Sequence, residues 1–154
     1  RAARGVRRMI PIRAATPDDM PACARIVHDW ETCTGYIQGT PDVDTLTGYL
    51  AEAFPVRHMH VAGDPVEGYL SIDPSSNRIG AIYLARPGQG TGKRLMDLAK
   101  EGRDTLWLTV YAPNTRAQAF YRREGFTETA RLDADRDGAP PMLRMDWTRS
   151  EVAR

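Results

Sequence analysis

The chain has 154 residues, 42% apolar and 27% charged, which is ordinary for one globular domain large enough to bury a core. Its 21 basic and 20 acidic residues leave a net charge of +1. That balance gives no general electrostatic case for nucleic acid or an anionic membrane as a partner. No apolar stretch approaches the ~20 residues that span a bilayer. Cys23 and Cys33 form neither a zinc site nor a disulfide scaffold, so a reducing, cytoplasmic setting is the simplest expectation.

Residues 1–8 are basic without a following apolar segment, and read as a flexible arm rather than a secretory leader. A single domain is expected over 9–148, with a tail at 149–154. Met9-Ile-Pro-Ile-Arg13 predicts a first strand. Thr16-Pro-Asp-Asp supplies a capping hydroxyl, a proline at the first helical position and first-turn acids. Met20, Cys23, Ile26 and Val27 carry that helix to about Trp30. Residues 31–41 read as a loop, and a second helix runs from Pro41 or Asp42 to Phe54. Strands follow at 58–62 and 66–72, the latter alternating with Val66, Gly68, Leu70 and Ile72 on one face, and Pro74-Ser-Ser-Asn77 closes a hairpin. An apolar strand at 79–84, a helix at 93–101, a strand at 106–111, a helix at 114–124 stopped by Gly125, and a closing strand pair at 126–132 and 142–147 complete the chain. The order β-α-α-β-β-β-α-β-α-β-β is that of a mixed α/β domain.

Between the strand at 79–84 and the next helix lies Leu84-Ala-Arg-Pro-Gly-Gln-Gly-Thr-Gly-Lys-Arg-Leu-Met96. Strand, glycine loop and helix together offer bare N–H groups and a positive helix end to a phosphate. A P-loop reading fails because Pro87 replaces its first glycine and Arg94 its magnesium-binding hydroxyl. A dinucleotide reading fails because the spacing is Gly-x-Gly-x-Gly and the next strand ends in Val110-Tyr111, without a carboxylate for a ribose.

The third reading is acyl-coenzyme A. Pro87-Gly-Gln-Gly-Thr-Gly92 resembles the Gln/Arg-x-x-Gly-x-Gly/Ala loop of the GCN5-related N-acetyltransferase (GNAT) family. Pro87 departs from that pattern where glutamine or arginine is usual, although Arg86 stands beside it. Asn114-Thr-Arg-Ala-Gln-Ala-Phe-Tyr-Arg-Arg-Glu-Gly-Phe126 is similar to the family's Asn…Ala…Phe-Tyr…Gly-Phe segment, and Ile10-Pro-Ile-Arg13-Ala-Ala-Thr-Pro-Asp-Asp to its opening. Together these cover roughly residues 9–147. The resemblance implies a twisted, mostly antiparallel sheet of six or seven strands, splayed at strands four and five and flanked by about four helices.

It also implies acetyl-CoA as co-substrate, without a metal, and residues to hold it. Gly88, Gln89, Gly90, Thr91, Gly92 and Lys93 would cradle the pyrophosphate. Main-chain groups of Ile82 and Leu84 would bind the pantetheine, with Leu84 N–H also polarising the thioester carbonyl. Asn114 would bond the pantetheine, and Tyr121 would be the general acid. Trp30 and Tyr36 flank the loop that in the family covers the acceptor. No general base stands out. Glu67, on the polar face of its strand, is one option, and His28, Glu31, His58 and Asp73 are others. Arg122 and Arg123 are read as a solvated face, and Asp133–Asp137 as a loop able to gate an acceptor cleft. The cysteines are read as distant from the thioester. The implied activity is acetyl transfer to a primary amine by direct attack, from a monomer or homodimer, to a small molecule or to a peptide or protein amine. A non-catalytic acyl-CoA-binding module is the alternative.

Overall fold

The computed structural model describes residues 9–150. The arm expected at 1–8 and residues 151–154 of the expected tail lie outside the described residues. The strands are β1 (Ile12–Ala14), β2 (His58–Ala62), β3 (Gly68–Asp73), β4 (Arg78–Leu84), β5 (Thr105–Tyr111), β6 (Thr127–Leu132) and β7 (Met142–Thr148). Four α-helices are interleaved among the described residues: α1 (Met20–Cys33), α2 (Val43–Ala53), α3 (Thr91–Lys100) and α4 (Thr115–Arg123). Every strand joins one sheet of order β1-β2-β3-β4-β5-β7-β6.

The pairings divide that sheet in two. β1 to β4 form an antiparallel run, and β5, β7 and β6 form another. The runs meet only where parallel β4 and β5 pair at Arg78 and Trp107, supported by the Trp107 N–H donating to the Asn77 carbonyl at 3.1 Å. The β3–β4 register shifts so that Ile72 faces Ile79 while Ser71 faces Ala81, leaving Gly80 as an extra residue in β4. Such a bulge bends its strand. Beyond the shared corner β4 and β5 diverge, and the gap stays open.

Side-chain periodicity decides what fills each face. Central β3 is buried on both sides: Leu70 and Ile72 join a larger core with Leu95, Met96, Leu108 and Met145, while Tyr69 joins a smaller one with Met20, Cys23, Met59 and Val61. Full burial of each large apolar side chain contributes roughly 1.5–3 kcal/mol. Helix α3 presents Leu95, Met96 and Ala99 inward and Lys93 and Asp97 to solvent, the 3.6-residue pattern of a half-buried helix. Buried Glu124 receives Lys100 Nζ at 3.0 Å and Lys93 Nζ at 3.3 Å, tying α3 to the end of α4.

The elements follow the sequence expectation with local differences. β1 starts at Ile12, after Pro11, which has no N–H to donate. A 3₁₀ turn, Pro17–Asp19, precedes α1. Helix α1 continues past Trp30 to Cys33, and Thr32 and Thr34 return their hydroxyls to carbonyls of the last turn. Val66 and Glu67 precede β3 instead of lying in it, because the Glu67 N–H closes a turn on the Ala62 carbonyl at 2.8 Å. Arg149 extends the ordered chain beyond β7, donating its guanidinium to the Lys100 and Arg103 carbonyls.

Asp19 secures the entry to α1. Its carboxylate takes two bonds from Arg13, at 2.8 and 2.9 Å, and one from the Thr16 N–H at 2.8 Å. The Arg13 bonds hold its carboxyl down at about 2. A lowered folded pKa adds stability that is complete above the unfolded value near 4 and lost as pH falls through about 2. Asp19→Asn is therefore expected to lower the melting temperature at pH 7, with the gap from wild type closing between pH 4 and pH 2. Thermal melts across that range check this.

Candidate active site

The opening between β4 and β5 is a cleft of about 1200 Å³. Its walls are β4, the facing residues of β5 from Leu108 to Tyr111, the glycine loop, and the inner surfaces of α1 and α4. One edge of β4 pairs with β3, and past Arg78 its other edge faces this space.

At one end stands the start of α3. Gly88 and Gly90 have φ of +90° and +79°, values that side-chain-bearing residues rarely adopt. Gly90 is the N-cap of α3 and provides no side-chain bond to its first N–H groups. By contrast, Asp42 caps α2 through the Thr45 N–H at 2.8 Å, and Asn114 caps α4 through the Ala117 N–H at 3.2 Å. The opening donors of α3 and the positive end of its dipole thus remain available at the cleft. A Cβ at Gly92 would lie 3.2 Å from Leu84 Cδ1 and 3.6 Å from the Phe120 ring, and one at Gly68 would lie 2.7 Å from Leu84 Cδ2. The two glycines accommodate the Leu84 side chain, which fixes the end of β4 beside α3.

Across the cleft, α4 places Asn114 and Tyr121 two turns apart in the wall. Gln118, buried on the same helix, donates to the Ala112 carbonyl at 2.9 Å and pins the end of β5 to α4. Tyr121 packs against Phe120 and Phe126. Burial raises its phenol pKa well above the ordinary value near 10, and its hydroxyl has no hydrogen-bond partner among the described residues. A phenol held in this way stays protonated at neutral pH and can donate a proton into the cleft.

At the other end the wall is aromatic. Trp30 stacks on Tyr111 with centroids 6.3 Å apart and meets Tyr83 edge-on at 5.5 Å. Tyr36 packs behind them, 6.4 Å from Trp30 and 6.3 Å from Tyr111. Burial raises the phenol pKa values of Tyr36, Tyr83 and Tyr111.

Ile82, Leu84, Gly88, Gly90, Gly92, Lys93, Asn114, Tyr121 and Trp30 all border the cleft. Gln89 and Thr91 lie in the loop and at the helix start, but their side chains are not part of its wall; Thr91 is buried. Glu67 also stands outside the wall, its carboxylate taken by a fork from Arg86 at 3.0–3.2 Å. Cys33 is the last residue of α1 and not part of the loop expected at 31–41; it is exposed on the cleft wall, whereas Cys23 is buried and its thiol is pushed up to about 12. Sequence reading missed Tyr83 and Tyr111. Strand alternation could not have found them, because consecutive residues of β4 and β5 border the opening between the two strands.

A model describing the acetyltransferase (GNAT) family matches residues 11–126, and the chain belongs to that family. No curated protein matches the sequence. Among solved structures, the phosphinothricin acetyltransferase of Sinorhizobium meliloti in complex with acetyl-CoA aligns with a TM-score of 0.71 at 17% identity, covering 94% of this chain and 90% of that one. The ribosomal-protein-alanine N-acetyltransferase of Brucella melitensis gives 0.68 at 24%, covering 90% and 99%. The yncA protein of Salmonella typhimurium, solved with its cofactor acetyl-CoA, gives 0.70 at 21%, covering 92% and 95%. At these identities the likeness is one of fold. Among the described residues no helix is long and apolar enough to cross a membrane.

Asn114→Ala should cost ~1 kcal/mol through loss of the α4 cap, while Asn114→Ser, which keeps an acceptor oxygen, should recover most of that. Urea unfolding of the two variants checks the difference.

Proposed function

We propose that this acetyltransferase moves an acetyl group from acetyl-CoA to a primary amine by direct attack, with a small molecule as acceptor. One observation carries the reading: the uncapped start of α3, with its left-handed glycines, faces across an open cleft to the unpaired, protonated hydroxyl of Tyr121. The cradle suits a pyrophosphate, because side chains at Gly88 and Gly90 would strain the loop and one at Gly92 would press on Leu84.

Bound acetyl-CoA supplies an activated thioester carbonyl. N–H groups from Gly88 to Lys93, those of Gln89 and Thr91 included, neutralise its phosphates. The open edge of β4 at Ile82 and Leu84 bonds the pantetheine amides as an added strand would. The Leu84 N–H donates to the carbonyl oxygen, an interaction worth ~3 kcal/mol when charge develops there. The Asn114 side-chain oxygen is occupied by the helix cap, which leaves its amide NH₂ for the pantetheine. Tyr121 Oη holds the proton that the departing sulfur takes. Glu67 acts at one remove, by fixing Arg86 beside the glycine loop. Trp30 and Tyr36 shape the acceptor end. We assign no general base: the proton lost by the attacking amine passes to solvent at the open cleft, and Tyr121 regains from solvent the proton it gave to sulfur.

With an accepted amine, Tyr121→Phe should lower kcat by about 10²–10⁴-fold while coenzyme A affinity stays within twofold. The raised phenol pKa keeps the acid protonated, so wild-type kcat should show no descending limb below about pH 10. Steady-state thiol release with a panel of amines, alongside coenzyme A calorimetry, reads both. Coenzyme A binding with no turnover on any amine would instead favour the non-catalytic module.

Gly90→Val should weaken coenzyme A at least tenfold by forcing a β-branched residue into the left-handed region, measured by the same calorimetry.

A further inference from the structure

Two segments far apart in sequence meet at the aromatic end of the cleft: residues 34–41, between α1 and α2, and residues 133–141, between β6 and β7. The carboxylate of Glu31, a residue 5% exposed, lies 2.6 Å from the Arg136 guanidinium. It also accepts the Thr40 hydroxyl at 3.0 Å. The Gln38 N–H donates to the Gly138 carbonyl at 2.8 Å. Gly138 has φ of +84°, and a Cβ there would lie 2.8 Å from the Gln38 carbonyl oxygen, so the segments touch backbone to backbone. Next to this junction, Tyr36 packs against Trp30 and Tyr111, which are themselves part of the cleft wall. Charge on Arg136 also bears on the Tyr111 hydroxyl, which links the ion pair to the aromatic wall.

Resting on the acetyl-transfer reading above, we propose that the Glu31–Arg136 ion pair determines acceptor size: it latches the two segments into a closed end that admits compact amines and shuts out extended chains such as peptide N-termini. Glu31 is buried while the Arg136 side chain is 32% exposed, so the pair is a poor source of net stability, but separating it would leave the Glu31 charge buried without its partner. Here separation would open the end of the cleft. Exclusion of the larger competitor by a closed wall is how a site gains specificity without better contacts to the smaller one. Glu31 and Arg136 are positioning residues in this account and take no part in the chemistry.

The test uses the full chain as wild type, Glu31→Gln, Arg136→Ala and the reversed pair Glu31→Arg/Arg136→Glu. Each is assayed for kcat and KM over primary amines of increasing length, from short alkylamines through dipeptides to a decapeptide. Binding of the same amines to the coenzyme A complex is measured by calorimetry, which gives a size profile without turnover. Hydrogen exchange at the Gln38 amide reports on the latch itself. The single variants should raise kcat/KM for the decapeptide, relative to the short amine, at least tenfold. They should also raise KM for the short amine more than they lower kcat, and speed Gln38 exchange at least tenfold, with coenzyme A affinity within twofold. The reversed pair should return all three readouts toward wild type.

An unchanged size profile in folded single variants overturns the proposal, as does wild-type use of the decapeptide on a par with short amines. Unchanged Gln38 exchange overturns it as well. If amines bind with the expected profile but none is acetylated, the acetyl-transfer reading fails while the latch stands. If no amine of any length binds to wild type or variant, the latch fails as a specificity determinant too.

Discussion

The structure depends on one constraint: two neighbouring parallel strands that remain paired at only one corner. β4 and β5 meet at Arg78 and Trp107 and then separate. In a continuous ladder the second edge of β4 would be consumed by β5, and no main-chain donors or acceptors would be left for a ligand. The bulge at Gly80 bends β4. The corner itself is clamped, with Arg78 and Arg144 guanidinium groups 5.0 and 4.0 Å from the Trp107 ring. The large core runs beneath both halves, so the gap is held open by packing around it and the sheet does not close.

That opening gives each surrounding element its task. The glycine loop and α3 close one end and orient unpaired N–H groups. α4 closes one side and brings in Tyr121. α1 and the two connecting segments shape the aromatic end. Glu124, gripping two lysines of α3, and Gln118, holding the end of β5, fix the distance between the helices that face the gap. Both groups are largely shielded from solvent.

Much of this was legible in the sequence because it is local. Asn114 after Ala-Pro announces its cap, and three alternating glycines before a helix announce a loop with left-handed backbone. The seven strands and four helices follow from periodicity and turn residues, with ends displaced by a few positions where Pro11 or a nearby turn intervened. The splay was expected only through family resemblance, since no local pattern encodes the absence of a pairing. The illegible parts are long-range. Nothing near Glu31 points to Arg136 on the far side of the chain, and Glu67 reads as a free surface acid until Arg86 folds back onto it. Trp30, Tyr36, Tyr83 and Tyr111 come from four separate segments, and their meeting is a product of topology.

The single corner between β4 and β5 also has a mechanical meaning. From Arg78 to Leu84 the strand runs about 20 Å at roughly 3.3 Å per residue, joined to β5 only at the Arg78–Trp107 pair and to β3 at every step but Gly80. β3 therefore carries the whole length of the open edge, and its register fixes where the backbone of Ile82 and Leu84 stands in the cleft wall. The two halves of the sheet touch at one corner, yet each strand bordering the gap is backed along its own far edge.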